Sequence, residues 1–137
     1  MEIEFPIEFL VLGTPVSAQS RNPTSKEGWK ARVLAAAQAA VTQPHFAAQK
    51  RLAATLYYFP AGPRQLDVDN IVKLTLDALC PHIYLDDSQI ERIVVQKFEP
   101  GNVFLFSNPS ATLLQAITGA KPVLYIRLSD APFEDLT

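Results

Sequence analysis

The chain reads as an α+β protein of mixed α/β type: a small mixed β-sheet of about four strands, with two main helices packed on one of its faces. Three observations lead there. Short stretches of alternating apolar and polar residues recur along the chain, as half-buried strands require. Two longer stretches repeat their apolar residues at helical spacing. The two kinds of segment follow one another as β-α-β-α-β, a short helix and a last β, which favours helices folded back onto a sheet. With 137 residues, 48% of them hydrophobic, the chain can bury a core without disulfides or a structural metal. Residues 1–137 are therefore expected to form one domain, with an acidic tail from about 130 that frays.

The elements follow in order. Ile3, Phe5, Ile7, Phe9 and Val11 alternate with Glu2, Glu4 and Glu8, which predicts a first strand ended by Gly13-Thr14-Pro15. Pro6 lacks an N–H, so this strand belongs at an edge or carries a bulge. After the polar loop 17–23, Thr24 and Glu27 have capping-box spacing, and the Ala-rich stretch beyond them predicts a helix to about Pro44. Its apolar stripe is Val33, Leu34, Ala37, Ala40 and Val41. Leu52, Ala54, Leu56 and Tyr58 mark a second strand, followed by a Pro- and Gly-containing loop. Ile71, Leu74, Leu76, Ala78 and Leu79 predict a second helix from about Asp69 to Cys80, stopped by Pro81. Residues 91–99 read as a third strand, 111–118 as one or two helical turns and 122–128 as the last strand. The segment between the last two strands is longer than a hairpin needs. Its Val103-Phe104-Leu105-Phe106 run is either core, a dimer arm or a cover over the site.

Charge and cysteine content narrow the function classes. No apolar run approaches the roughly 20 residues needed to cross a bilayer, so no membrane association is expected. The acidic start Met1-Glu2-Ile3-Glu4 differs from a basic secretory leader, and a cytoplasmic location is expected. Cys80 is the only cysteine, so it has neither an internal disulfide partner nor a second thiol for zinc. His45 and His82 show no metal-ligand spacing. The net charge is −2, but all 12 Lys and Arg lie between Arg21 and Arg127 while six of the 14 acids sit in the tails. The body of the chain is thus basic, which is compatible with a polyanionic partner.

One segment departs from the rest. Residues 66–90 hold five aspartates, Asp67, Asp69, Asp77, Asp86 and Asp87, together with Lys73. Asp69, Lys73 and Asp77 recur at helical spacing. Asp67 precedes them in a loop, and Asp86 and Asp87 precede the third strand. If that strand runs beside the loop of Asp67, the two acid groups converge at one end of the sheet. Two readings stand side by side. Asp is a good helix cap and turn residue, and Asp69 with Lys73 makes an ordinary ion pair. Alternatively, magnesium takes a few carboxylates and keeps several waters and substrate oxygens, and Lys73 then supplies positive charge for a phosphoryl transition state. Spacing alone leaves both open.

The order of these residues resembles the RusA family of Holliday junction resolvases, the crossover junction endodeoxyribonucleases. The resemblance is carried by Asp67, Asp69, Asn70, Lys73, Asp77, Ala78 and Leu79, a short spacer, then Tyr84, Asp86, Asp87 and Gln89, followed by a strand with a basic residue. It is specific over about 25 residues and looser over the flanking elements. It implies a RusA-like fold and a homodimer that binds branched DNA. The implied activity is cleavage of four-way junctions by paired symmetric cuts in recombination and repair, with Mg2+, or Mn2+ in its place. It further implies that Asp67, Asp69 and Asp87 hold the metal, that Lys73 is catalytic with them, and that Asn70, Asp77 and Asp86 support the site. The alternatives are a RusA-like protein that binds DNA without cutting, or a nuclease for other branched or single-stranded DNA. Arg21, Lys26, Lys30 and Arg64 are the candidates for contacts to DNA phosphates, by their placement around the first loop and just ahead of Asp67.

Overall fold

The computed structural model describes residues 2–42, 45–63, 66–102 and 104–133. Arg64, Pro44, Val103 and the end of the acidic tail lie outside the described residues. The elements are β1 (Ile7–Leu12), α1 (Pro23–Ala40), β2 (Leu52–Phe59), α2 (Asp69–Asp77), a 3-10 turn (Asp87–Gln89), β3 (Ile90–Lys97), α3 (Ala111–Thr118) and β4 (Val123–Ser129). They build one four-stranded mixed sheet in the order β1-β4-β2-β3 and three helices, an α+β architecture.

Pairing follows from connection length. β4 is antiparallel to both its neighbours, with Phe9 opposite Ile126 and Leu56 opposite the same residue from the other side. β2 and β3 are parallel, and the crossover between them is α2, as a parallel pair demands. β1, β2 and β3 therefore point one way and β4 the other. One face of the sheet carries Ile7, Phe9, Val11, Leu52, Ala54, Leu56, Tyr58, Leu124, Ile126 and Leu128, all buried against Trp29, Val33 and Ala37 of α1 and Ile71 and Leu74 of α2. At roughly 1.5–3 kcal/mol for each fully buried large apolar side chain, this layer dominates the folding free energy.

A second, smaller layer lies on the opposite face, where Phe59, Val123 and Tyr125 meet Leu113 and Ala116 of α3. Phe104 and Phe106 join it, with Phe104 edge-on to Phe98 at a 4.6 Å centroid distance. Phe104 and Phe106 of the arm between β3 and β4 thus pack, half-buried, on the α3 side of the sheet, opposite the face that carries α1 and α2. Leu105 between them is 95% exposed.

Several local expectations are corrected. β1 begins at Ile7, after Pro6, although Ile3 is still buried; the strand is indeed at an edge. The Thr24–Glu27 capping box does not form. Asn22 is the cap, accepting from Ser25 N at 3.1 Å, because Pro23 fits the first helical position and fixes the start two residues early. α1 stops at Ala40, with Val41 extended, short of Pro44. α2 ends at Asp77 and continues as turns through Ile83. Among the described residues no helix is long and apolar enough to cross a membrane.

Candidate active site

The three co-directional strands end at a common edge, at Leu12, Phe59 and Lys97, and the loops leaving β1 and β2 there lead into α1 and α2. Carboxyl ends of strands next to helix starts are where open α/β sheets offer a concave, polar surface. Asp67 and Asp69 are placed at this edge. The entry to α2 is tight: Asn70 N bonds Asp67 O at 3.0 Å and Ile71 N bonds Val68 O at 3.1 Å. Val68, not an aspartate, occupies the cap position, and no side chain caps the helix. Both Asp67 and Asp69 are exposed, and neither carboxylate bonds or ion-pairs with another described residue. The helix-cap reading of Asp69 does not hold, nor does its pairing with Lys73.

Lys73, one turn further on, turns the other way along the helix. Its Nζ lies 2.9 Å from Asp77 Oδ1 and 4.0 Å from Asp87 Oδ2. The hydrogen bond and charge of Asp77, with a smaller contribution from Asp87, hold its ammonium above the ordinary lysine range, so it stays charged. Because β2 and β3 are parallel, the loop of Asp67 and the turn of Asp87 lie at opposite ends of that strand pair. The expected convergence at one end of the sheet is corrected accordingly. α2 spans the distance instead, and the acids are strung along it with Lys73 between.

The turn that presents Asp87 is a built structure. Asp86 caps it, accepting from Ser88 N at 3.2 Å and from the Ser88 hydroxyl, which holds its carboxyl below the usual range. Gln89 accepts from Leu85 N and Asp86 N at 2.8 and 2.9 Å, while its amide donates to Ala48 O and Lys50 O at 2.8 and 2.9 Å. Asp86 is thus engaged by the turn, whereas Asp87 is exposed and turned toward Lys73. Burial, followed by the charge of Asp87, pushes up both the Cys80 thiol and the Tyr84 phenol, which therefore remain neutral.

Two residues that sequence reasoning missed touch the segment bearing Asp67 and Asp69. Ser17 Oγ donates to Asn70 Oδ1 at 3.1 Å, from the loop after β1. Lys97 Nζ donates to Leu66 O at 3.2 Å and pairs with Glu99 at 3.1 Å. Lys97 stands opposite the buried Tyr58 on the core-facing parity of β3, a placement that only the strand pairing reveals. Nothing in the polar run around Ser17 singled it out. Of the candidate phosphate contacts, Arg21 is exposed, Lys26 and Lys30 are half-buried on the first turns of α1, and Lys30 lies 3.9 Å from Glu27. All three follow the loop whose Ser17 reaches Asn70. Arg64 lies outside the described residues.

Among the described residues no three acidic, histidine or cysteine side chains stand together as a ready-made metal cage. The donor chemistry nonetheless suits a hard divalent ion. Asp67, Asp69 and Asp87 offer only oxygen and carry no competing hydrogen bonds from described residues. Magnesium binds through few protein carboxylates and retains water.

A family model described as endodeoxyribonuclease RusA matches residues 14–104. The match spans most of the chain, includes every candidate site residue, and leaves out β1, α3 and β4. No curated protein matches the sequence.

Proposed function

The chain belongs to the RusA endodeoxyribonuclease family, and on that premise we propose a magnesium-dependent endonuclease that resolves four-way DNA junctions by paired, symmetric phosphodiester hydrolysis. The observation that carries the reading is the approach of Lys73 to Asp87, 4.0 Å apart, which joins the two halves of the acidic segment across the α2 crossover. Asp67 and Asp69, at the start of α2, would hold the ion together with Asp87, which approaches Lys73 one turn along the same helix. When bound, magnesium, or manganese in its place, supplies Lewis acidity for the phosphate oxygens.

The chain's own residues supply the rest. Water adds to phosphorus, one P–O bond of the phosphodiester breaks, and a proton passes to the departing oxygen. The ammonium of Lys73 offsets the negative charge that accumulates on the phosphoryl oxygens, and Asp77 keeps that ammonium charged and aimed. Arg21, Lys26 and Lys30 contact backbone phosphates, so affinity should fall steeply with salt. A homodimer presents two such sites, which suits the two-fold symmetry of a four-way junction and cuts on opposing strands.

The test is cleavage of an end-labelled four-way junction with and without Mg2+, alongside Asp69→Asn and Lys73→Ala. Symmetric nicks that need the ion and vanish in both variants are the expected result. A wild type that binds the junction yet never cuts it in Mg2+ or Mn2+ overturns the assignment. Faster cutting of forks or flaps in competition would move the substrate within the same chemistry.

A further inference from the structure

We infer that Ser17 and Lys97 are positioning residues that brace the segment 66–70 from its two ends and so set the affinity of the site for a divalent ion; the inference rests on the metal role proposed for Asp67 and Asp69. The two carboxylates are exposed and bonded to no other described residue. Their placement must therefore come from the backbone that carries them. That segment is held at one end by Lys97 Nζ on the backbone carbonyl of Leu66 at 3.2 Å, and at the other by Ser17 Oγ on the side-chain amide oxygen Asn70 Oδ1 at 3.1 Å.

The two braces come from different parts of the sheet. Lys97 is the last residue of β3, and its own position is fixed by ladder pairing opposite Tyr58 and by Glu99 at 3.1 Å. Ser17 follows β1, and its Oγ also accepts from Gln19 N at 3.1 Å, which folds the loop over its own hydroxyl. Between the braces, the bonds from Asn70 N to Asp67 O and from Ile71 N to Val68 O close the turn. Asp67 and Asp69 thus project from a short span held at one end by the last residue of β3 and at the other by the loop after β1. Carboxylates that share an ion need placement to about 0.5 Å, and removing groups that orient ligands typically weakens metal binding about 10- to 100-fold.

The test is direct Mn2+ titration of the full chain without DNA, followed by electron paramagnetic resonance, on Ser17→Ala, Ser17→Thr and the pair Lys97→Met with Glu99→Gln. The paired variant keeps the local charge balance while removing the bond to Leu66. Junction affinity in EDTA and circular dichroism are recorded in parallel. Ser17→Ala and the paired variant are expected to bind Mn2+ about 10- to 100-fold more weakly, while junction affinity in EDTA and the spectrum stay at wild-type values. Ser17→Thr, which keeps the hydroxyl, is expected to restore binding. Wild-type Mn2+ affinity in both variants overturns the brace and leaves the proposed nuclease standing. An equal loss of metal-free junction binding also overturns it, because the residues would then act on DNA or on the fold. A wild type that binds no Mn2+ overturns the brace and the metal reading together.

Discussion

Lys73 Nζ and Asp87 Oδ2 lie 4.0 Å apart, one on the crossover helix α2 and the other in the turn that feeds β3. Their approach links α2 to the turn of Asp87, although parallel pairing of β2 and β3 holds the loop of Asp67 and that turn at opposite ends of the strand pair. A lysine beside a carboxylate opposes the binding of a second cation there. On the proposed reading Lys73 therefore acts on the phosphate and does not help assemble the metal site.

That placement separates two measurements. Lys73→Met should bind Mn2+ at least as tightly as the wild type, while junction cleavage falls by about 10²- to 10³-fold. The ion pair it loses is exposed, so the urea midpoint should correspond to a change within about 0.5 kcal/mol. Weaker Mn2+ binding in this variant would assign Lys73 to site assembly instead.

Asp67→Asn and Asp69→Asn should leave metal-free thermal stability unchanged or slightly raised, with cleavage abolished. Neither side chain bonds another described residue, and Val68 holds the cap position of α2. A capping aspartate would cost about 1 kcal/mol on removal, so a drop of that size in the melting experiment would restore the structural reading.

Gln89→Ala should destabilise the fold by about 1–3 kcal/mol, because its amide satisfies two backbone N–H groups and two carbonyls that join the Asp87 turn to segment 48–50. Cleavage should fall as well, through misplacement of Asp87. Urea denaturation and single-turnover cleavage read the two effects separately.

Asp86 gives a pH dependence whose sign is set by its depressed carboxyl. Hydrogen bonds from Ser88 favour the carboxylate in the folded state, so the contribution is full above the ordinary Asp value of about 3.9 and is lost as pH falls through the lower folded value. Asp86→Asn should therefore show a flatter acid limb than the wild type when urea midpoints are followed from about pH 5 to pH 2.

Thr75→Val should cost about 1–3 kcal/mol in chemical denaturation. The Thr75 hydroxyl accepts from Trp29 Nε1 at 3.0 Å and donates to Ile71 O at 2.7 Å, both within the layer between α1 and α2. The isosteric valine leaves the indole N–H buried without an acceptor.

The strands were legible because one face is apolar: Phe9 and Val11, or Leu52, Ala54 and Leu56, show the period of two directly. α2 was legible from Ile71 and Leu74 at helical spacing. What escaped reading depends on neighbours distant in sequence. Asn22 competes with Thr24 as cap, and Pro23 decides between them through its fixed φ. The direction of β3 relative to β2 is not written in either strand, so the geometry of the acids along α2 was not accessible. The candidate residues themselves were legible, since carboxylates at Asp67, Asp69 and Asp87 interrupt a lightly charged chain. Their supports were not, because Ser17 and Lys97 reach the segment from 53 and 31 positions away.

Trp29 is the only tryptophan in the chain, is 2% exposed, and bonds a residue two positions beyond Lys73. Its emission therefore reports on the buried layer in which α1 seats against the sheet and the helix that bears the candidate site. Undocking of that helix would move the indole from an apolar, hydrogen-bonded setting into water and shift its fluorescence to the red. The unlabelled protein thus carries its own optical reporter, with which any displacement of α2 can be followed by stopped flow.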